Sequence, residues 1–228
     1  MPDDETFDVS SHPADDAAGA AEPVPARKRP RPGERKVQIL QALAAMLEQP
    51  GAERVTTAAL AARLEVSEAA LYRHFASKAQ MFEGLIDFIE QSVFTLVNQI
   101  TERESSPREQ AAQIVGVLLQ FAEKNPGMAR VMAGDALVFE NERLQQRMNQ
   151  FFDKIESQLR QVLRGLAAAE GADTPTIDGQ MRAAVLTAFA MGRLQRFARS
   201  GFRHLPAEHL DAALALMLGG TSVPLSRG

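Results

Sequence analysis

The segment Val66–Lys78, VSEAALYRHFASK, places Tyr72, Arg73 and His74 side by side, with Phe75 behind them and Lys78 three residues further on. Phenol, guanidinium, imidazole and ammonium groups crowded into so short a stretch are the hydrogen-bond donors that phosphates and base edges require. A serine that can cap a helix precedes them at Ser67, followed by Glu68, Ala69 and Ala70. Small residues at a helix entry permit close approach to a surface, or contact with a thymine methyl.

The chemistry of catalysis finds less support. His12, His74, His204 and His209 are the only histidines, and none stands in a metal-ligand spacing. The chain contains no Gly-rich phosphate loop, no G-x-S-x-G motif, no convincing pair of carboxylates on one apolar face, and no cysteine. No enzyme, metal or cofactor is expected. The acidic N-terminus has no apolar core of a secretory signal and no stretch approaches the roughly 18 apolar residues of a membrane span, so a cytoplasmic protein is expected.

Charge placement matters more than its sum. The net charge is −4, yet residues 1–26 hold seven acids and no Lys or Arg, while residues 27–78 hold ten basic residues against five acids. One end of the body is thus basic, the footprint of a polyanion binder.

Two elements must position the donors. TTAALAARL reads as a short helix with Thr56 or Thr57 as N-cap, EVS as a tight turn, and SEAALYRHF as a second short helix capped by Ser67. Helices so joined let the first, with Thr56 and Thr57, brace on the DNA backbone while the second enters the major groove. Ser67, Glu68, Ala69 and Ala70 then stand at the base edges; Tyr72 and His74 reach phosphates, Arg73 a guanine or phosphate, and Lys78 adds its charge at the start of the next helix. Leu60, Ala61, Leu64, Val66 and Leu71 supply a small core. The turn residue before Val66 is usually a glycine because the chain turns through φ > 0 there, but here it is Glu65; a left-handed residue other than glycine costs roughly 1–2 kcal/mol, so either the turn is strained or its geometry differs.

Elsewhere the chain reads as all-α, without a run of strand periodicity. Residues 1–33, acidic and then basic, read as a disordered tail; 34–79 as the DNA-binding domain; 80–228 as a helical dimerisation and partner-binding domain. The first helix starts at Glu34, with Val37, Leu40, Leu43, Ala44 and Leu47 on its apolar face. A long helix from Ser77 carries Phe82, Leu85, Ile86, Ile89, Val93, Leu96, Val97 and Ile100 on one stripe; another runs to about Lys124, where NPG closes it. From about Ala136 to Leu166 a seam near heptad spacing runs through Leu144, Met148, Phe151, Phe152, Ile155, Leu159, Val162, Leu163 and Leu166. GADTPTIDG at 171–179 breaks it, and an Ala/Gly-rich helix and a last helix, PAEHLDAALALML, follow. Phe88 falls beside the apolar stripe of the long helix, on a row with Met81, Gly84, Ser92 and Thr95.

The basic end, the paired short helices and the signature LYRHFASK resemble the TetR-type regulators. TTAALAARLEVSEAALYRHFASKAQMFEGLIDFIE, NPG, FENERLQQRMNQFF and IESQLRQVLR extend the resemblance, from about Glu34 to Arg203, to the nucleoid occlusion factors among them. The resemblance implies a TetR-like fold, and a homodimer whose subunits join through a four-helix bundle of about 176–200 and 206–218. It further implies binding to palindromic sites in double-stranded DNA, association with the nucleoid, and antagonism of FtsZ ring assembly, so that septa do not form over the nucleoid. The FtsZ C-terminal tail would lie between the long helix and its successor, at Phe88, Val117, Gln120, Lys124 and Asn125. Where the resemblance implies a basic residue on the long helix, Leu96 stands instead. An alternative is a repressor released by a small effector, with Phe121, Met128, Met132, Phe139, Met148, Phe151, Phe152, Phe189 and Met191 lining a pocket.

Overall fold

A computed structural model describes residues 33–49 and 55–219. The proposed tail and its acidic and basic runs lie outside the described residues, apart from Gly33. Among the described residues the fold is all-α, with no strand. Helices α1 (Glu34–Leu47), α2 (Thr57–Arg63) and α3 (Glu68–Tyr72) precede the long α4 (Lys78–Arg103). α5 (Pro107–Lys124), α6 (Pro126–Met132), α7 (Glu142–Ala169), α8 (Pro175–Arg199) and α9 (Leu210–Leu218) follow.

Each short helix is set by its ends. Thr56, Ser67, Ser77 and Ser106 each accept a backbone N–H with the side-chain oxygen at the N-termini of α2, α3, α4 and α5. α2 ends in the double bond of a Schellman turn: Val66 N–H donates to the Ala61 carbonyl at 3.0 Å and Glu65 N–H to the Ala62 carbonyl at 3.1 Å. Glu65 occupies the left-handed position of that turn with φ 54°. A glycine normally stands there because it has no Cβ to collide with the following carbonyl. Glu65→Gly is expected to raise stability by about 1 kcal/mol, read as a rise in the denaturant midpoint at unchanged slope. A fall in the midpoint would mean that the glutamate side chain contributes more than its backbone strain costs.

The core follows helical phase. Ile39, Leu43, Ala44 and Leu47 of α1 are buried. Val37, expected on that face, is 52 % exposed because it lies roughly 100° around the helix from the centre of the buried residues. On α4, Phe82, Leu85, Ile86, Ile89, Val93 and Val97 are buried as expected; Leu96 is 40 % exposed and Ile100 half-buried, toward the C-terminal end of the helix. Every residue of the α7 seam from Leu144 to Leu166 is buried, largely against α8. Phe151 is edge-on to Phe94 of α4 and to Phe152, with ring centroids 5.8 and 5.1 Å apart.

NPG closes α5 at Lys124 as expected, with Asn125 at its C-cap, and Pro126 then opens α6 at its first position, where a missing N–H costs nothing. Three boundaries differ from expectation. The helix expected from about Ala136 starts at Glu142, after a short 3-10 turn at Asp135–Leu137 and the Asn141 cap. The break after α7 is shorter than 171–179, because Pro175 again opens a helix. α9 begins at Leu210 rather than near 206: Pro206 lies in a turn, and His209, at the helix boundary, is left-handed with φ 53°.

α4 and α7 are also tied by charge. Glu83 pairs with Arg143 at 2.6 Å, Arg147 reaches Asp87 at 2.8 Å and Glu90 at 2.9 Å, and Lys154 meets Glu90 at 2.8 Å. The hydrogen bond that the Arg147 guanidinium donates to Asp87 holds its pKa above the ordinary value despite burial, with the charges of Asp87 and Glu90 adding to it.

Candidate nucleic-acid interface

Leu60, Ala61 and Leu71 are buried, with Leu64 and Val66 packed against them, so the small core predicted between α2 and α3 forms. Across it, the Thr57 hydroxyl donates to a Glu68 carboxylate oxygen at 2.6 Å and ties the start of α2 to the start of α3. Glu68 thus braces the pair of helices while still lying at the exposed entry of α3. Thr56 and Ser67 spend their side-chain oxygens as helix caps.

The polar donors lie on the outer side. Tyr72 and Arg73 are exposed and His74 half-buried; Ala69 is exposed and Ala70 half-buried. Phe75 is buried beneath them, and the Lys36 ammonium of α1 stands 5.7 Å from its ring centre. Lys78 behaves differently from its neighbours. Its ammonium pairs with the carboxylate of Glu140, just before α7, and lies 5.6 Å from the Phe82 ring centre. Sequence reasoning missed Glu140. No periodic signal joins residues 62 positions apart, and only the glutamate's position directly before the Asn141 cap marks it as held in place.

The second set of residues is not gathered at one point. Phe88 is 47 % exposed, but its row does not form one open face: Met81 is fully buried and Gly84 packs under Leu40 of α1, leaving Phe88 and Thr95 outward. Val117 and Gln120 line a groove of about 300 Å³ in which Ala112 and Gly116 of α5 face Leu210 and Leu214 of α9; Ile100 is its contribution from α4. Lys124 is exposed at the end of α5, and the Asn125 side chain donates to the Phe121 carbonyl at 2.7 Å. The aromatic and methionine residues assigned to an effector pocket are likewise dispersed. Phe139 and Met191 are exposed while Met132, Met148, Phe151 and Phe152 are in the core.

Residues 39–85 match the model of the bacterial regulatory proteins of the tetR family, and residues 109–219 the SlmA-like, tetracyclin repressor-like C-terminal domain. The chain is 49 % identical over 188 residues to the nucleoid occlusion factor SlmA of Vibrio atlanticus, covering 82 % of this chain and 95 % of that one. It is 51 % identical over 189 residues to SlmA of Aliivibrio fischeri, covering 82 % and 96 %. The chain belongs to the SlmA family of nucleoid occlusion factors.

Members are DNA-binding regulators of the TetR class, and nucleoid occlusion is the function this kinship gives the chain. The fold is shared more widely. The fatty acid degradation regulator FadR of Bacillus halodurans superposes with a TM-score of 0.67 at 16 % identity, covering 83 % of this chain and 97 % of FadR. The TetR family regulator PfmR of Thermus thermophilus superposes at 0.66 and 20 % identity, covering 83 % and 100 %. Among the described residues, no helix is long and apolar enough to cross a membrane.

Proposed function

We propose that this SlmA-family chain binds palindromic sites in chromosomal DNA as a homodimer, through the unit formed by residues 34–79, and on that DNA antagonises FtsZ ring assembly. Residues 80–228 would supply the dimer contact and the FtsZ site. The observation that carries the DNA half is the exposed pair Tyr72 and Arg73 at the end of α3, held by the buried Leu60–Leu71 core and the Thr57–Glu68 bond. Arg73 is one of the interface residues; Thr56, Thr57, Ser67, Glu68, Ala69, Ala70, Tyr72, His74 and Lys78 complete it.

Dimerisation is supported by α8 and α9. Ile177, Met181 and Val185, four residues apart on α8, are each more than half exposed, as is Leu216 of α9. Large apolar side chains in a row on a long helix need a cover, and a second copy of the same helices supplies one with two-fold symmetry. A dimer presents two α3 helices, which is the arrangement that selects a palindrome.

Arg73→Ala is expected to weaken binding to a palindromic duplex selected from a random pool by about 1–3 kcal/mol if the guanidinium reads a base. If it contacts phosphate instead, the salt slope becomes shallower by about 0.9 for each protomer of the dimer. Anisotropy of the labelled duplex across a salt series separates the two. Unchanged affinity at every salt concentration would remove α3 as the reading helix. The division half is tested by sedimenting polymerising FtsZ with the chain and that duplex: less FtsZ should pellet with both present. An undiminished pellet would leave DNA binding without division antagonism.

A further inference from the structure

Lys78 opens α4 directly after the α3 donors, the position from which an ammonium reaches a phosphate. Its charge is already engaged. Glu140, 10 % exposed, takes it, and the Lys78 side chain is itself only 24 % exposed. The carboxylate is not a free-swinging partner. Asn141 beside it caps α7, and Asp135 at the start of the same connection is paired with Arg130 at 2.9 Å. Arg130 in turn donates to the Leu47 carbonyl at the end of α1 at 3.4 Å. α6 and the connection that follows it thus touch the DNA-binding unit at two places, Arg130 of α6 at the end of α1 and Glu140 of the connection at the start of α4.

We propose that Glu140 is a specificity-setting residue that competes with DNA phosphate for Lys78. This rests on the reading of α2 and α3 as the DNA interface. Non-specific affinity is almost wholly a matter of phosphates neutralised and counterions released. A carboxylate that withholds one ammonium lowers binding to any sequence, and leaves discrimination to Arg73 and the α3 entry. Lys78 is freed only where the remaining contacts hold the duplex close enough to displace Glu140.

The test uses the full chain and a random-sequence duplex, with Glu140→Gln, Lys78→Gln and the double variant, titrated by anisotropy at several salt concentrations. Glu140→Gln is expected to steepen the salt slope by about 0.9 for each protomer on the DNA, which is about eightfold tighter binding per protomer at 0.1 M salt relative to 1 M. Lys78→Gln alone should barely change the slope, and in the double variant it should abolish the gain. Lys78→Gln breaks the same ion pair, so any effect of lost stability appears in it too and is subtracted. The proposal is overturned if Glu140→Gln leaves slope and affinity unchanged or weakens binding, which would make the pair a tether of α4 only. It is equally overturned if the gain persists in the double variant, since that gain would come from removing a negative charge rather than from releasing Lys78. Arg73→Ala, run alongside, separates the two levels. If it weakens binding while Glu140→Gln does nothing, this inference alone falls; if neither has an effect, the interface reading falls with it.

Discussion

Gly127→Ala is expected to lower the melting temperature by roughly 6–12 °C, the equivalent of about 3 kcal/mol in a chain of this size. A Cβ at Gly127 would stand 2.0 Å from the Ala44 carbonyl oxygen and 2.8 Å from its carbon. Those atoms are helix backbone and cannot swing aside as a side-chain tip would. Alanine's better helix propensity returns only about 1 kcal/mol, so the clash decides the sign. α1 belongs to the unit proposed to bind DNA and α6 to the rest of the body, and a shift that relieves the clash must move one against the other. DNA affinity should therefore fall along with stability. Thermal melts followed by circular dichroism, with duplex anisotropy below the transition, check both; an unchanged melt would mean that α1 and α6 do not approach so closely in solution.

That glycine also shows where sequence reading stops. NPG carries the residues of a helix terminator, and a terminator is what local propensity reports. Its other use, a proline opening a new helix and a glycine admitting a neighbouring backbone, depends on α1, some 80 residues earlier, and leaves no local trace. Where the cause is local, the reading succeeds. Of the two readings open at Glu65, strain in the usual turn or a different geometry, the left-handed φ selects the first. The buried faces of α4 and α7 follow from helical phase; Leu96 and Ile100, in phase with the α4 stripe but toward its C-terminal end, are the exceptions. The partners of charged residues are the least legible part. Thr57 with Glu68, and Lys78 with Glu140, are pairings that tertiary packing makes between residues whose spacing has no period. Both alter the candidate interface, because a side chain read from sequence as a free donor or acceptor arrives already engaged.

Phe88→Asp is expected to separate the two activities proposed for the chain. Phe88 is nearly half exposed on α4, beyond the buried stripe of Phe82, Leu85, Ile86 and Ile89. A charge there enters neither the core nor the α8 and α9 face assigned to the dimer, and it stands almost three turns along α4 from Lys78 and the α3 donors. Folding, dimerisation and duplex binding should persist. The FtsZ tail, if it lies between α4 and α5, should lose about 2 kcal/mol or more of affinity, since one aromatic anchor commonly carries that share of a small interface. The geometry sharpens what such a tail must do. Val117 and Gln120 face a groove that Ile100 of α4 and Leu210 and Leu214 of α9 also line, and Phe88 is not part of that lining, so a peptide that uses Phe88 as well must extend beyond the groove. Leu96, exposed two turns beyond Phe88 where relatives are expected to carry a basic residue, makes the α4 side of that path more apolar. Anisotropy of a labelled FtsZ tail peptide and of the duplex, measured on the same variant, reads both effects. Wild-type protein that never binds the peptide with DNA present would end the proposal, and so would a variant that binds it undiminished. A variant that melts far below wild type would instead make Phe88 a packing residue and leave α4 without an anchor.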